Sequence, residues 1–168
     1  MLTHPTLDQL RALRLEGMIE ALEEQRRDPT IADLDFEERL ALLVQREIDW
    51  RDDKRLTRLL KAARLKVSAA CIEDINWRAS RGLDRHQITM LAGCDWVRHA
   101  RTILITGATG TGKTWLSCAL ARQAARQGFT VLYTRTTRLL QELRVAHGDG
   151  SFSRSCLLYT SDAARRAI

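Results

Sequence analysis

The sequence predicts an α/β protein in which a helical region comes first and a parallel sheet begins after it. Two observations support this fold class. Apolar residues recur at helical spacing over residues 7–67. After residue 100, short apolar runs alternate with helical segments in the order strand, helix, strand, helix, which is typical of a parallel α/β sheet.

The helical region is predicted to hold two main helices. The first runs from about Leu7 to Gln25, because leucines recur at helical spacing and an Asp-Pro pair then breaks the pattern. Asp35 and Glu38 form a second start signal, which opens a long helix, or two helices in close succession, ending near Val67. Its first apolar stripe consists of Phe36, Leu40, Leu43, Val44 and Ile48. A shorter helical or irregular piece follows over residues 72–79.

The α/β part is predicted to contain two strands, each followed by a helix. Residues 101–106 contain the compact apolar run ILI, which is short enough for a buried strand. A glycine-rich loop comes next, and then a helix from Lys113 to about Gln127. FTVLYT, residues 129–134, is rich in β-branched and aromatic residues and predicts the second strand. A second helix is predicted over residues 137–147.

The loop between the first strand and its helix fits G-x-x-x-x-G-K-[ST], the phosphate-binding Walker A pattern, at every fixed position. Glycines let backbone N–H groups approach phosphate oxygens, and the following helix directs its positive end at the same anion. Lys113 can reach the β- and γ-phosphates, and Thr114 can place its hydroxyl on Mg²⁺. A glycine turn that binds nothing would not explain this Lys and Thr. The predicted ATP-binding residues are Gly107, Ala108, Thr109, Gly110, Thr111, Gly112, Lys113 and Thr114.

Residues 51–66 form a basic stretch on the long predicted helix. Six of its cations recur at spacings of three and four, opposite the leucines: Arg51, Lys54, Arg55, Arg58, Lys61 and Arg64. Such a face can neutralise DNA phosphates without reading base sequence. The same pattern also fits a solvated face of a helical bundle, so the residues are DNA-binding candidates.

Composition favours an anionic partner and a cytoplasmic protein. Lys and Arg outnumber Asp and Glu by 27 to 21 among the 168 residues. No stretch reaches the roughly 20 apolar residues of a membrane span, and the N-terminus lacks the apolar run of a signal peptide. The four cysteines are too far apart in sequence to form a zinc-type pair, and free thiols are expected.

Five segments together resemble a known family: TLDQLRALRLEGM, RLTRLLKAARLK, IEDINWRASRGLDR, ILITGATGTGKTWLSCALARQA and GFTVLYTRTTRLLQEL. The chain resembles the IstB-like transposition helper ATPases of bacterial insertion sequences. These are relatives of the DnaC-like helicase loaders within the AAA+ superfamily. The resemblance runs from residue 1 to about Arg154, so it covers the helical region as well as the loop.

The resemblance implies an ATP-dependent, DNA-binding helper of transposition. Such proteins assemble as homo-oligomers on DNA and activate a partner transposase at the target. Residues 1–92 would form a helical region for assembly and DNA engagement. Residues 93–154 would form the start of an AAA+ ATP-binding domain. By the match, the loop residues named above take the phosphate and magnesium roles.

ATP hydrolysis also needs a carboxylate on a neighbouring strand to hold Mg²⁺ and orient the attacking water. In the family this is an acidic pair after an apolar strand. Downstream of Thr114 the acidic residues are Glu142, Asp149 and Asp162, and none follows such a strand. The parent family is one of ATP hydrolases, but this chain is predicted to be inactive and to fold poorly in its C-terminal half, where the sheet is incomplete.

Residues 155–168 are predicted to be a non-native tail, because family resemblance stops near Arg154. CLLYTSDAA within this segment resembles the conceptual translation of a sequencing-library adapter. A frameshift or truncated gene, and a divergent natural tail, remain alternatives.

Two further functions stay open from the sequence. A replicative helicase loader of the DnaC-like kind would share the same loop and basic helix. A non-enzymatic DNA-binding helical module with a vestigial nucleotide site would bind DNA through the helical region alone, without regard to ATP.

Overall fold

A computed structural model of the chain describes residues 5–77, 82–152 and 166–167. The chain packs as two compact units, Met1–Arg55 and Leu56–Ile168. The boundary between these two units falls inside a long helix. The sequence analysis divides the chain by function near residue 92, and that functional division stays a prediction.

The first unit is helical. It holds α1 (Pro5–Ala12), α2 (Glu16–Arg27), a 3₁₀ turn (Pro29–Asp33) and the first part of α3 (Phe36–Ala63). The predicted single helix ending at Gln25 is therefore wrong, since it is interrupted between α1 and α2. Arg14 has a φ of 57°, in the left-handed region that ends a right-handed helix.

The start signal predicted for α3 is confirmed. The Asp35 carboxylate accepts from Glu38 N at 2.8 Å, and the Glu38 carboxylate accepts in return from Asp35 N at 3.2 Å. The helix ends at Ala63 rather than near Val67, because Arg64 has a φ of 49°. The predicted apolar stripe does not form a core, since Phe36, Leu40, Val44 and Ile48 are exposed.

Polar contacts and one glycine hold α2 against α3. The buried Glu47 carboxylate accepts from Met18 N at 3.2 Å, and the Gln25 side-chain amide donates to Arg39 O at 3.0 Å. A Cβ built on Gly17 would lie 2.7 Å from Arg46 O and 2.8 Å from Glu47 Cα. The absent side chain is therefore what lets the two helices approach this closely.

The second unit begins with the last turns of α3, and its other elements pack around helix α6. Its further elements are a 3₁₀ turn (Ile72–Asp74), α4 (Arg85–Ala92), α5 (Asp95–Arg98), α6 (Lys113–Arg126), β1 (Thr130–Val131), α7 (Thr136–Gly148) and β2 (Arg166–Ala167). The predictions of α6 and α7 are confirmed to within one residue at each end. No helix is predicted from the sequence over residues 80–100, so the two short helices α4 and α5 were missed.

The predicted parallel sheet is present only in a minimal form. Residues 101–106 contain no strand, and the predicted strand at 129–134 shrinks to β1. β1 pairs in parallel with β2, Thr130 opposite Arg166 and Val131 opposite Ala167. The predicted tail at 155–168 lies outside the described residues apart from β2.

The ILI run shows why no strand forms there. Ile103 and Ile105 pack against the cluster formed by Ile75, Ile88, Leu116 and Leu120. Leu104 between them is 85% exposed. The segment therefore packs against the protein with one side only. Among the described residues, no second strand lies beside it to pair with its backbone groups.

Helix α6 contributes more buried side chains to the second unit's core than any other described element. Its buried side chains, among them Leu116, Cys118, Leu120 and Ala124, belong to three apolar clusters. These clusters also contain Ile75 of the segment after the 3₁₀ turn and Val131 of β1. Within the described part of the chain, no helix is both long and apolar enough to cross a membrane.

Candidate functional site

The phosphate loop has the backbone that its pattern requires. Gly107, Gly110 and Gly112 have φ values of 151°, 85° and 88°, which side-chain-bearing residues rarely adopt. A Cβ added at Gly110 would meet no atom within 4 Å. The space beside Gly110 is therefore open, and in a loop of such glycines successive backbone N–H groups can receive an anion.

The Lys113 side chain folds over this loop. Its Nζ donates to Gly107 O at 2.9 Å and to Ala108 O at 2.6 Å. The Thr111 hydroxyl also donates to Ala108 O, at 2.9 Å. An ammonium has three donors, so one remains beyond the two loop carbonyls. The loop thus holds a positive charge at the place where phosphate oxygens would arrive.

The first turn of α6 completes the cradle. The residue before the helix, Gly112, supplies no side-chain cap for the N–H groups that a helix start leaves without partners. The helix dipole adds partial positive charge there, which favours an anion. Thr114 lies exposed in this same turn, one residue after Lys113. The N–H groups and the positive charge suit a nucleotide's phosphates, and the Thr114 hydroxyl is an oxygen ligand of the kind that magnesium prefers.

A cavity of about 610 Å³ opens beside the loop. Its volume lies in the range of small-molecule sites. The loop side contributes Thr111, Gly112 and Lys113, and α6 adds Trp115 and Leu116. The remaining lining residues are Ala69, Asp74, Ile75, Asn76, Leu83, Ile105 and Thr106. The cavity is thus mainly apolar, with a cationic end at the loop.

Most of the wall that faces the loop was not predicted from the sequence. The sequence pattern marks only the loop, whereas this wall comes mainly from Ala69, Asp74, Ile75, Asn76 and Leu83. No spacing rule marks these residues as ligand contacts. The only signal was that part of this segment, IEDINWRASRGLDR, belongs to the family resemblance.

Helix α6 fixes this wall in place. The Arg122 guanidinium donates to Ser68 O at 3.1 Å, and Arg126 Nη1 lies 2.6 Å from a Glu73 carboxylate oxygen. The Cys71 thiol also donates to Glu73. The thiol first, and then Arg126, lower the Glu73 pKa from its usual 4.5 to about 2. Because the loop lies at the start of α6, one helix positions both sides of the cavity.

All six predicted DNA-binding cations are exposed. In the first unit, Arg51 pairs with Glu47 at 2.6 Å, and Lys54 lies 5.0 Å from the Trp50 ring centroid. The third cation there is Arg55. In the second unit, Arg58 and Lys61 lie on α3 and Arg64 follows its end. Arg51 is therefore partly neutralised already.

The carboxylates downstream of the loop serve local structure. Glu142 accepts from Arg138 Nε at 2.8 Å within α7. Asp149 accepts from Ser151 N at 2.9 Å and from its hydroxyl at 2.6 Å, and these bonds lower the Asp149 pKa. Asp162 lies outside the described residues. Among the residues that the structure describes, no cluster of three or more His, Cys, Asp or Glu could hold a metal ion.

Comparisons with known proteins give one consistent result. The family described as IstB-like ATP binding protein matches residues 8–162, which extends eight residues past Arg154. An insertion sequence IS1162 ATP-binding protein of Pseudomonas fluorescens is 56% identical over 92% of this chain and 67% of its own length. An insertion sequence ATP-binding protein of Sinorhizobium fredii is 42% identical over 92% of this chain and 62% of its own length.

A more distant relative agrees. An ATP-binding protein in an insertion sequence of Mycobacterium tuberculosis is 32% identical over 90% of this chain and 60% of its own length. The chain therefore spans 60 to 67% of the length of these three relatives.

Proposed function

This chain belongs to the IstB-like ATP binding protein family, and from that membership we propose that it binds ATP at the Gly107–Thr114 loop and assists insertion-sequence transposition on DNA. The observation that carries the proposal is the loop itself: three glycines at positive φ, an uncapped helix start and a lysine folded over the loop. The names of these relatives agree with ATP binding.

The proposed complex places the triphosphate in the loop. The N–H groups of the loop and of the first turn of α6 would surround its oxygens. Lys113 would exchange its two loop carbonyls for phosphate oxygens, which are stronger acceptors for an ammonium. The nucleoside would enter the adjoining cavity, whose apolar lining suits a purine ring.

Nucleotide binding is tested with the full chain and a fluorescent ATP analogue. Lys113→Ala is expected to weaken binding about tenfold or more, since a charge-assisted bond to phosphate is lost. Lys66→Ala is the matched control, because Lys66 is exposed and lies outside the loop. Equal affinity for the wild-type chain and Lys113→Ala would overturn the phosphate assignment.

Magnesium is proposed to bind at the Thr114 hydroxyl, and it would bridge and neutralise phosphate oxygens there. Thr114→Val removes the hydroxyl and keeps the shape of the side chain. This variant is expected to lose the gain in ATP affinity that magnesium gives the wild-type chain. Thr114→Ser keeps the hydroxyl and should keep the gain; if it behaves like the valine variant, the magnesium assignment is wrong.

We propose that these 168 residues bind ATP without hydrolysing it. Glu142 and Asp149 are engaged in local pairs, and neither follows a strand beside the loop. Hydrolysis, oligomer assembly and transposase activation would then belong to the full-length protein. The rate of phosphate release from ATP should be the same for the wild-type chain and for Lys113→Ala. Turnover that Lys113→Ala abolishes would contradict this.

DNA is the proposed macromolecular partner, bound through the exposed cations of the basic stretch. Fluorescence anisotropy with a duplex over a salt series tests this. If Arg58 and Lys61 both contact phosphates, the double alanine variant should reduce the slope of log affinity against log salt by about two. The matched control is Arg135→Ala with Arg144→Ala, two exposed cations elsewhere. An unchanged slope in the first variant would refute the assignment.

A further inference from the structure

The wall of the cavity that faces the loop carries one ionisable side chain among the described lining residues, Asp74. It is the last residue of the 3₁₀ turn, and Asp74 N donates to Cys71 O at 3.2 Å to close that turn. Lys113 of the loop lines the same cavity. The cavity is therefore polarised, with a cation and a carboxylate on separate segments.

This polarity selects one orientation for a nucleoside triphosphate. The triphosphate carries several negative charges, so it is attracted to Lys113 and repelled by Asp74. With the phosphates in the loop, the nucleoside must occupy the part of the cavity that Asp74, Ile75 and Leu83 line. Ile75 and Leu83 offer apolar surface to the base.

A carboxylate accepts hydrogen bonds and donates none. Among the described residues no hydrogen bond to the Asp74 carboxylate is found, so a donor on a ligand or a water molecule can satisfy it. A nucleoside offers two kinds of donor, the ribose hydroxyls and the exocyclic amine of adenine. Resting on the proposed ATP site, we propose that Asp74 accepts a hydrogen bond from a nucleoside donor and thereby sets the nucleotide specificity of this chain.

The position of Asp74 is set by the contacts that fix its segment. Its neighbour Glu73 is bound to Arg126 at the last residue of α6, and Arg122 of α6 holds Ser68 O. Lys113 is the first residue of the same helix. The segment that carries Asp74 is therefore attached to the same helix that begins with Lys113, which favours a constant spacing between the two, as a group that discriminates among ligands requires.

The test measures the affinities of four nucleotides for the full chain by calorimetry with magnesium present. The probes are ATP, 2′-deoxy-ATP, 3′-deoxy-ATP and inosine triphosphate, which lacks the exocyclic amine. The variants are Asp74→Ala and Asp74→Asn, the second of which keeps the side-chain size and one acceptor oxygen. Asp33→Ala, an exposed aspartate of the first unit, is the control.

The wild-type chain is expected to bind ATP about tenfold more tightly than the one analogue that lacks the donor, as a hydrogen bond to a charged group predicts. A weak deoxynucleotide assigns the donor to that ribose hydroxyl, and weak inosine triphosphate assigns it to the amine. Asp74→Ala should lose this discrimination and bind ATP about tenfold more weakly. Asp74→Asn should fall between, and Asp33→Ala should match the wild type.

Several outcomes would overturn the inference. One is a wild-type chain that binds all four nucleotides equally; another is an Asp74→Ala variant that keeps both affinity and discrimination. If Lys113→Ala abolishes binding in those cases, the ATP site stands and only the role of Asp74 is wrong. If the wild-type chain binds none of the four nucleotides, the proposed function fails, and the role of Asp74 fails with it.

Discussion

Gly17 in α2 and Gly110 in the phosphate loop would both be disturbed by a side chain, but in different ways. At Gly17 a Cβ would overlap the backbone of α3, 2.7 Å from Arg46 O. At Gly110 a Cβ would meet nothing within 4 Å, yet the backbone has a φ of 85°. The first glycine provides space between two helices, and the second provides a conformation in a loop with open space beside it.

The difference between the two glycines distinguishes a residue needed for packing from a residue proposed to serve binding. A glycine that lets helices touch affects the stability of the first unit and nothing else in the described chain. A glycine that turns an exposed loop, with no atom packed against it, contributes little to packing. We therefore expect its conformation to serve the proposed nucleotide site. Substitutions at the two positions should therefore change different measurements.

The largest loss of stability is expected for Gly17→Ala. The added methyl group would lie under 3 Å from Arg46 O, Glu47 Cα and Trp50 Cβ. Overpacking of this kind costs about 1–3 kcal/mol, whereas the better helix propensity of alanine returns at most about 1 kcal/mol. Denaturant unfolding followed by tryptophan fluorescence measures the net loss, and ATP affinity should not change.

Gly148→Ala is the matched control for this prediction. Gly148 ends α7, and a Cβ there meets no atom within 4 Å. Alanine at such a site should be neutral or stabilise the chain by about 0.4–1 kcal/mol. Should Gly17→Ala stabilise the chain as much as Gly148→Ala, the close α2–α3 contact would be wrong.

Gly110→Ala should instead weaken nucleotide binding. A left-handed conformation costs a side-chain-bearing residue about 1–2 kcal/mol, so the loop will relax and misdirect its N–H groups. If the ATP-bound loop requires the left-handed conformation at residue 110, this free-energy cost corresponds to about tenfold weaker ATP binding. Gly150→Ala is the control, because Gly150 has a φ of 75° and the same open surroundings outside the loop. Equal ATP affinities for the two variants would contradict the role of Gly110.

The two glycines also show what the sequence could predict. Gly110 occupies a variable position of the phosphate-loop pattern, and the family resemblance assigned it a phosphate role before its φ was known. Gly17 lies inside a helix with no pattern around it, and only the approach of α3 gives it a role. Local signals likewise predicted α6, α7 and the start of α3, because caps, glycine stops and apolar spacing act over a few residues.

Nonlocal features were predicted less well. A strand exists only if another strand pairs with it, so ILI was wrongly predicted to be one. The interruption after α1 rests on a left-handed Arg14, which no glycine or proline marks. The Asp74 side of the cavity comes from Ala69, Asp74, Ile75, Asn76 and Leu83. These residues precede Gly107 by 24 to 38 positions in the sequence, and folding alone brings them to the loop.

A smaller effect is expected at the start of α4, which differs from the start of α6. The Asp84 carboxylate accepts from His86 N at 2.8 Å and so caps α4, whereas α6 starts at Gly112 without a cap. Asp84→Ala should cost about 1 kcal/mol of stability. Asp84→Asn keeps an acceptor and should cost less, as urea unfolding will show. A larger loss for asparagine than for alanine would exclude the capping role.

The smallest effect concerns Glu73, which joins the cavity wall to α6. The Cys71 thiol and then Arg126 lower the Glu73 pKa from 4.5 to about 2 in the folded chain. The bonded carboxylate therefore stabilises the fold above about pH 4.5, and this contribution is lost as the pH falls towards 2. Because the side chain is 62% exposed, solvent screens the interaction and the effect is small.

Glu73→Gln should remove this part of the acid dependence. The variant should be less stable than the wild-type chain at pH 6, and the gap should narrow between pH 4.5 and 2. Glu20 is an exposed glutamate of α2. For Glu20→Gln, the difference in stability from the wild-type chain should not change between pH 6 and pH 2. If the gap stays constant with pH, Glu73 acts through neutral hydrogen bonds. Its charge would then not hold the wall to α6, and the constant spacing argued for Asp74 would rest on Arg122 and Ser68 alone.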